Sequence, residues 1–277
     1  AAPPGVAALL WSAPAGVSVQ VVVVLCMSGR ATSSDNTCND TTANLFRHFV
    51  NSYMSGAALA PVLANAYGND CKAYHLTADY NWGYTTEEAV RASTEAMGWE
   101  TVAAVKTPLT QTDFSSYIAP VLQSGADTLV LNHYGGNMVN SLTNAVQFGL
   151  RDKQVNGKKF EIVVPLYSEL MAAGAGKNVQ GVIGSMNWNW QLQDEGSKAF
   201  TKSFGEKYGR PPSNSAHTCY VQTLLYADAV ERAGSFNPCP VVAALAGSEF
   251  HGLGERATTS RGAVDPRAGG AEPTRRS

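Results

Sequence analysis

From Lys72 onward the chain repeats one pattern: a short apolar run, then a stretch with helical periodicity, then another run. The runs are Lys72–Thr77, Thr101–Lys106, Asp127–Asn132, Phe160–Pro165 and Gly181–Met186. Few folds accept this pattern. A strand covered by helices on both faces reads as a continuous apolar run rather than an alternating one. Strands joined through helices are parallel, with right-handed crossovers. Residues 72–190 are therefore expected to form one complete doubly wound α/β domain.

The helices between the runs carry their own signals. Thr85-Thr86-Glu87-Glu88 reads as a capping box, which predicts a helix from there to about Met97. Asp113 is placed to cap the next helix, in which Phe114, Tyr117, Ile118, Val121 and Leu122 form one apolar stripe and Pro120 introduces a kink. Asn137 opens a third helix, with Met138, Leu142, Ala145 and Val146 on one face and Gly149 as its stop.

Outside this block the pattern changes. Ahead of it lie a Val-rich strand (19–26), a polar loop (28–42) and a helix at about 45–66. After Trp190 come two long helices, Asp194–Tyr208 and Ala216–Ala233, closed by Gly209 and Gly234, and a shorter one near Pro240–Ala246. These pieces cannot complete a sheet alone. The expectation is an incomplete first lobe built from 19–71 and 191–254, with the lone strand short of neighbours. Residues 1–18 and 255–277 are expected to be irregular tails, the latter with five Arg and little apolar periodicity. The first 29 residues carry no charge, but Val19 to Met27 is only nine residues and no basic n-region precedes it. A spanning helix needs about 20 apolar residues, so this stretch reads as a strand, and no signal peptide is visible in this chain.

Composition removes several functions. Twenty Lys and Arg against 22 Asp and Glu give a net charge of −2, so nucleic acid is not an expected partner. Five cysteines form no CxxC or CxxH pair, and the five histidines form no HExxH, so no metal site is expected. Cys38 and Cys71 flank the first-lobe helix and are a candidate pair, although spacing does not fix connectivity; the alternative is free buried thiols. Gly174-Ala175-Gly176-Lys177 resembles a phosphate loop but lacks its first Gly and its Ser/Thr. GxGxxG and GxSxG are absent, and no cofactor is expected. His133 and Glu169 are the one acid/base pair that the sheet edge could bring together.

Doubly wound sheets bind ligands beyond the carboxyl ends of their strands. In this chain those positions are aromatic and hydroxylic: Ser28 to Ser34, Asp79-Tyr80-Asn81-Trp82-Gly83-Tyr84, His133-Tyr134-Gly135-Gly136-Asn137, Tyr167-Ser168-Glu169 and Asn187-Trp188-Asn189-Trp190. Hydroxyls and amides hold carboxylates or carbonyls, while Tyr and Trp rings supply flat apolar walls.

Three segments resemble type I periplasmic solute-binding proteins of ABC importers, in the group of branched-chain amino acid, amide and aromatic-acid receptors. They are Tyr74–Tyr84, Gly181–Trp188 and the helix from Cys219 to Gly234. The resemblance covers roughly residues 27–254 and implies two doubly wound Rossmann-like α/β lobes that close on a small molecule, here with the first lobe incomplete. It implies a carboxylate-binding loop at Ser28, Thr32 and Ser33, with Arg30 inserted into that loop's small-residue signature. It implies aromatic contacts at Trp82 and Tyr134, beside which Tyr80 is an expected site residue from its place after a strand, and it places Tyr167 where amino acid receptors carry the acidic residue for the ligand ammonium. Glu169 lies two residues further on, so an aromatic carboxylate or amide is favoured over an amino acid.

The resulting expectation is a non-enzymatic, extracytoplasmic solute-binding protein that delivers its ligand to ABC importer membrane subunits by hinge closure. The alternatives are a ligand-sensing regulatory module of the same fold, or a truncated remnant that does not bind.

Overall fold

The structure, a computed structural model, describes residues 23–25, 45–47, 50–155, 157–246, 249–252, 255–260 and 263–265. In chain order the first elements are β1 (Val23–Leu25), β2 (Leu45–Arg47), α1 (Ser52–Tyr67), β3 (Lys72–Ala78), α2 (Asn81–Glu95), β4 (Glu100–Thr107), α3 (Ser115–Gln123), β5 (Thr128–Asn132) and α4 (Gly136–Gln147). Then follow a small hairpin, β6 (Gln154–Val155) with β7 (Lys158–Lys159), and β8 (Glu161–Leu166), α5 (Glu169–Ala175) and β9 (Ile183–Ser185). The last elements are α6 (Glu195–Tyr208), α7 (Asn214–Ala233), α8 (Pro238–Leu245), β10 (Glu249–Gly252), β11 (Glu255–Ser260) and β12 (Ala263–Asp265). They divide into two compact units, Val50–Asn187 and a second made of 1–49 with 188–277.

The Val50–Asn187 unit is built on a five-stranded sheet in the order β4-β3-β5-β8-β9 with every pair parallel. The five apolar runs of the sequence are these five strands. Alternate strand residues feed two cores. Tyr74, Leu76, Leu129, Leu131, Ile162 and Val164 meet Phe114, Ile118 and Val121 around α3, Met138, Leu142 and Ala145 of α4, and Met171 of α5. Ala73, Val130 and Val163 on the other face meet Leu59 and Leu63 of α1, Val90 of α2, and Cys71 and Trp99.

That second core corrects the expected domain boundary. The helix assigned to the first lobe is α1, and it packs on α2, β8 and β9. α2 crosses between β3 and β4, whereas α3, α4 and α5 all cover the opposite face, so without α1 the apolar β5–β8–β9 surface on the α2 side would face water. The unit therefore begins at Val50 rather than at residue 72.

Two other expectations are corrected locally. α2 starts at Asn81, one turn before the proposed capping box, with Tyr80 at its N-cap, and Thr85 lies inside the helix, where its hydroxyl donates to the Trp82 carbonyl at 3.2 Å. Early initiation is possible because Gly83 lets the first turn press on β3: a Cβ there would sit 2.0 Å from the Ala78 carbonyl oxygen. Asp113, by contrast, does accept from the Ser115 amide at the start of α3, at 2.9 Å.

In the other unit, Phe46, Trp188, Phe200, Val221, Leu225, Ala229, Val241 and Leu245 form one apolar core between β2, α6, α7 and α8. Asp194 and Ser213 cap α6 and α7, the second helix starting at Asn214, two residues before the expected Ala216, while Gly209 and Gly234 close them in the left-handed region as expected. The Trp188 indole donates to Ser197 Oγ at 2.8 Å and stacks on the His217 ring at 4.5 Å. The Val-rich strand is not alone, since β1 pairs in parallel with β2, where a helix start was expected. Part of the expected C-terminal tail is likewise ordered, as β10, β11 and β12 form an antiparallel sheet. Cys71 is a buried free thiol that donates to the Tyr67 carbonyl; Cys38 lies outside the described residues.

Candidate functional site

The strand order places β3 and β5 side by side, with the chain leaving β3 toward β4 on one side and returning to β5 on the other. This reversal is the topological switch point, where two loops diverge and leave a crevice above the carboxyl ends of the strands. The residues that follow those two strands are Asp79 to Trp82 and His133 to Gly135.

Three rings meet there. Trp82, in the first turn of α2 and only 7% exposed, lies 5.9 Å from the Tyr80 ring at 36° and 5.9 Å from the Tyr134 ring at 66°. Both separations fall in the favourable range for tilted and edge-to-face aromatic pairs. Tyr80 and Tyr134 remain partly exposed, so the cluster shows aromatic surface at the sheet edge.

Tyr134 continues the cluster toward β8. Burial, together with the nearby Glu169 carboxylate, pushes its pKa above the usual phenol range, while the buried Ser168 side chain acts in the opposite direction. Tyr167 follows β8, with its amide donating to the Ser185 carbonyl at 2.9 Å. Gly184 gives it room, since a Cβ there would come within 3.0 Å of the Tyr167 Cβ. Burial and Glu169 raise the Tyr167 pKa as well. The edge thus combines four aromatic side chains, the buried Ser168 hydroxyl and the nearby Glu169 carboxylate.

Of the expected site residues, the fold gathers Tyr80, Trp82 and Tyr134 directly and brings Tyr167 to the same edge beside Glu169. Ser28, Thr32 and Ser33 lie outside the described residues. Ser168, named among the positions that follow β8 but not among the expected site residues, is the N-cap of α5, where its Oγ accepts from the Met171 amide at 3.3 Å.

The acid/base pair is absent. His133 is fully buried, with ring nitrogens 2.9 Å from Thr107 Oγ1 and 2.8 Å from Ser141 Oγ, and burial lowers its pKa to about 3. Both nitrogens are engaged within the protein, so the imidazole ties β4, β5 and α4 together and is not presented to solvent. His75 is similarly buried on β3, its Nδ1 accepting from the Asn132 amide at 3.2 Å and its pKa also lowered to about 3. Among the described residues no group of His, Cys, Asp and Glu is arranged to hold a metal ion.

Comparison with known proteins fits this architecture. The family model described as periplasmic binding protein matches residues 4–268. A Leu/Ile/Val-binding protein homolog from Brucella melitensis is 24% identical over 161 residues, which cover 58% of this chain and 37% of that protein. Among solved structures, a periplasmic binding protein from Burkholderia mallei superposes with a TM-score of 0.76 at 22% identity, covering 88% of this chain and 62% of that one. An ABC transporter solute-binding protein from R. palustris, in complex with benzoate, gives a TM-score of 0.75 at 20% identity, covering 86% and 64%. The chain spans less than two thirds of the length of each of these proteins.

Proposed function

The chain belongs to the periplasmic binding protein family, and from that premise we propose that it is an extracytoplasmic solute-binding protein. It takes up a small carboxylate- or amide-bearing ligand and delivers it to the membrane subunits of an ABC importer. Its work is binding rather than catalysis. The observation that carries this reading is the aromatic cluster of Tyr80, Trp82 and Tyr134 over the switch point of a parallel sheet.

Those rings suit the flat or branched apolar part of a ligand, and the Ser168–Glu169 side of the edge offers acceptors to an amide or ammonium group. The names of similar proteins span both chemistries, branched-chain amino acids in the Brucella homolog and benzoate in the R. palustris structure. Binding is coupled to closure in this proposal: contacts made only in a closed form stabilise that form and present it to the importer.

A thermal melt tests the proposal, with leucine, benzoate, 4-hydroxybenzoate and short aliphatic amides as the panel. A ligand at about 100 times its Kd adds roughly 2.7 kcal/mol to stability, which raises the Tm by several degrees. A cooperative melt raised by one chemical class supports the reading and names the ligand class. A cooperative melt that no member of the panel moves contradicts it.

A further inference from the structure

Trp82 lies in the first turn of α2, against the rings of Tyr80 and Tyr134. Tyr84, two residues on, is rotated by roughly 200° about the axis of α2, so it shares no face with Trp82 and turns toward β4. There its hydroxyl donates to Asp79 Oδ1, and the Lys106 ammonium lies 4.3 Å above its ring. Asp79 is the first residue beyond β3, and its amide donates to the Thr107 carbonyl at the end of β4 at 2.8 Å. Three elements are thus joined at one point: the end of β3, the end of β4 and the first turn of α2.

We propose that Tyr84 is a positioning residue for the ligand face: with Asp79 and Lys106 it forms a clamp that fixes the first turn of α2 and so sets the angle at which Trp82 meets Tyr80 and Tyr134. The consequence for ligand binding rests on the function proposed above; the consequence for Trp82 does not. Asp79 and Lys106 are exposed, and exposed polar and ionic contacts contribute little to stability. Placed on the turn that carries Trp82, they act on its geometry instead. The hydrogen bond that Tyr84 donates to Asp79 also raises the Tyr84 pKa above the usual phenol range.

The experiment is acrylamide quenching of the Trp82 emission without ligand, isolated as the difference between each protein and its Trp82→Phe counterpart. Tyr84→Phe and Asp79→Ala are expected to raise Trp82 accessibility while the protein stays folded. Asp79→Asn, which keeps an acceptor oxygen for the Tyr84 hydroxyl, is expected to restore the wild-type value. For whichever of leucine, benzoate or 4-hydroxybenzoate stabilises the wild type, Tyr84→Phe raises the Kd about tenfold and Asp79→Asn does not. Unchanged quenching in both Tyr84→Phe and Asp79→Ala overturns the proposal, as does a lower Tm with Trp82 accessibility unaltered. If no probe binds the wild type, the proposed function fails while the quenching result still decides the clamp.

Discussion

Replacing Gly83 by Ala tests how closely the aromatic edge depends on helix-to-strand contact. Gly83 needs no left-handed backbone, so the cost of a side chain there is one of space. The added Cβ would lie 2.0 Å from the Ala78 carbonyl oxygen and 2.9 Å from its carbon, whereas non-bonded heavy atoms rest at about 3.5 Å or more. Both partners are backbone, and Ala78 is held in register with Thr107 of β4. The turn of α2 must therefore move by more than about 1 Å, a forced overpacking that costs about 1–3 kcal/mol. Loosening the edge-to-face pair of Trp82 with Tyr134 adds about 0.5–1.5 kcal/mol. Together they come to about 1.5–4.5 kcal/mol, which lowers the Tm by roughly 3–18 °C for a chain of this size. Thermal melts followed by circular dichroism measure this. Gly136→Ala is the control: it also lies in the first turn of a helix at this edge, but nothing stands within 4 Å of the added carbon. That substitution should be neutral, or stabilising by up to about 1 kcal/mol. If Gly83→Ala melts within about 2 °C of the wild type, the close approach does not govern this edge.

The two buried histidines make stability pH-dependent with a definite sign. His75 and His133 are held neutral with pKa values of about 3, while the unfolded chain titrates near 6.5. Their contribution is complete above about pH 6.5 and falls toward pH 3, with a slope of up to about 1.4 kcal/mol per pH unit for each histidine. Urea midpoints across that range should fall less steeply in His75→Gln than in the wild type, and equal slopes would contradict the assignment. In the other unit, Ser197→Ala removes the acceptor of the buried Trp188 indole and should cost about 1–3 kcal/mol, read as an earlier loss of the Trp188 near-ultraviolet signal. Asp127 Oδ1 accepts from the Lys72 amide at 2.9 Å and from the Thr128 hydroxyl at 3.0 Å, so Asp127→Ala should destabilise the start of β3 and β5 by about 1–3 kcal/mol. Faster amide exchange of Lys72 would report it, and unchanged exchange would count against it.

The sheet was legible because strands buried on both faces, as β3, β5 and β8 are, leave continuous apolar runs, and all five runs from Lys72 onward became strands, the partly exposed edge strands β4 and β9 included. Order along the chain was a weaker guide to packing. α1 precedes the sheet and was grouped with the segments before it, although the face it covers is defined by strands that come later. Leu45-Phe46-Arg47 is too short to separate a strand from the start of a helix by periodicity, and its pairing with β1 depends on a partner about twenty residues earlier. β11, with the sequence Glu-Arg-Ala-Thr-Thr-Ser, has no apolar alternation and was read as tail. Tyr80, Trp82 and Tyr134 were singled out because they follow strands of a doubly wound sheet and, for Trp82 and Tyr134, because the family resemblance aligns them; the structure gathers their rings at one edge. The links around them were not legible: the contacts of Tyr84 with Asp79 and Lys106 join residues whose proximity depends on strand order and loop path.

The central claim is that this sheet edge binds the ligand, and amide and indole chemical-shift mapping tests it most directly. The labelled chain is titrated with the panel compound that most raises its Tm, or with leucine and benzoate in turn if none does. The account predicts saturable shifts at the Trp82 indole and at the amides of Tyr80, Tyr134 and Tyr167, all lost in Trp82→Ala. Saturable shifts confined to residues away from this edge, or none with either compound, would contradict it.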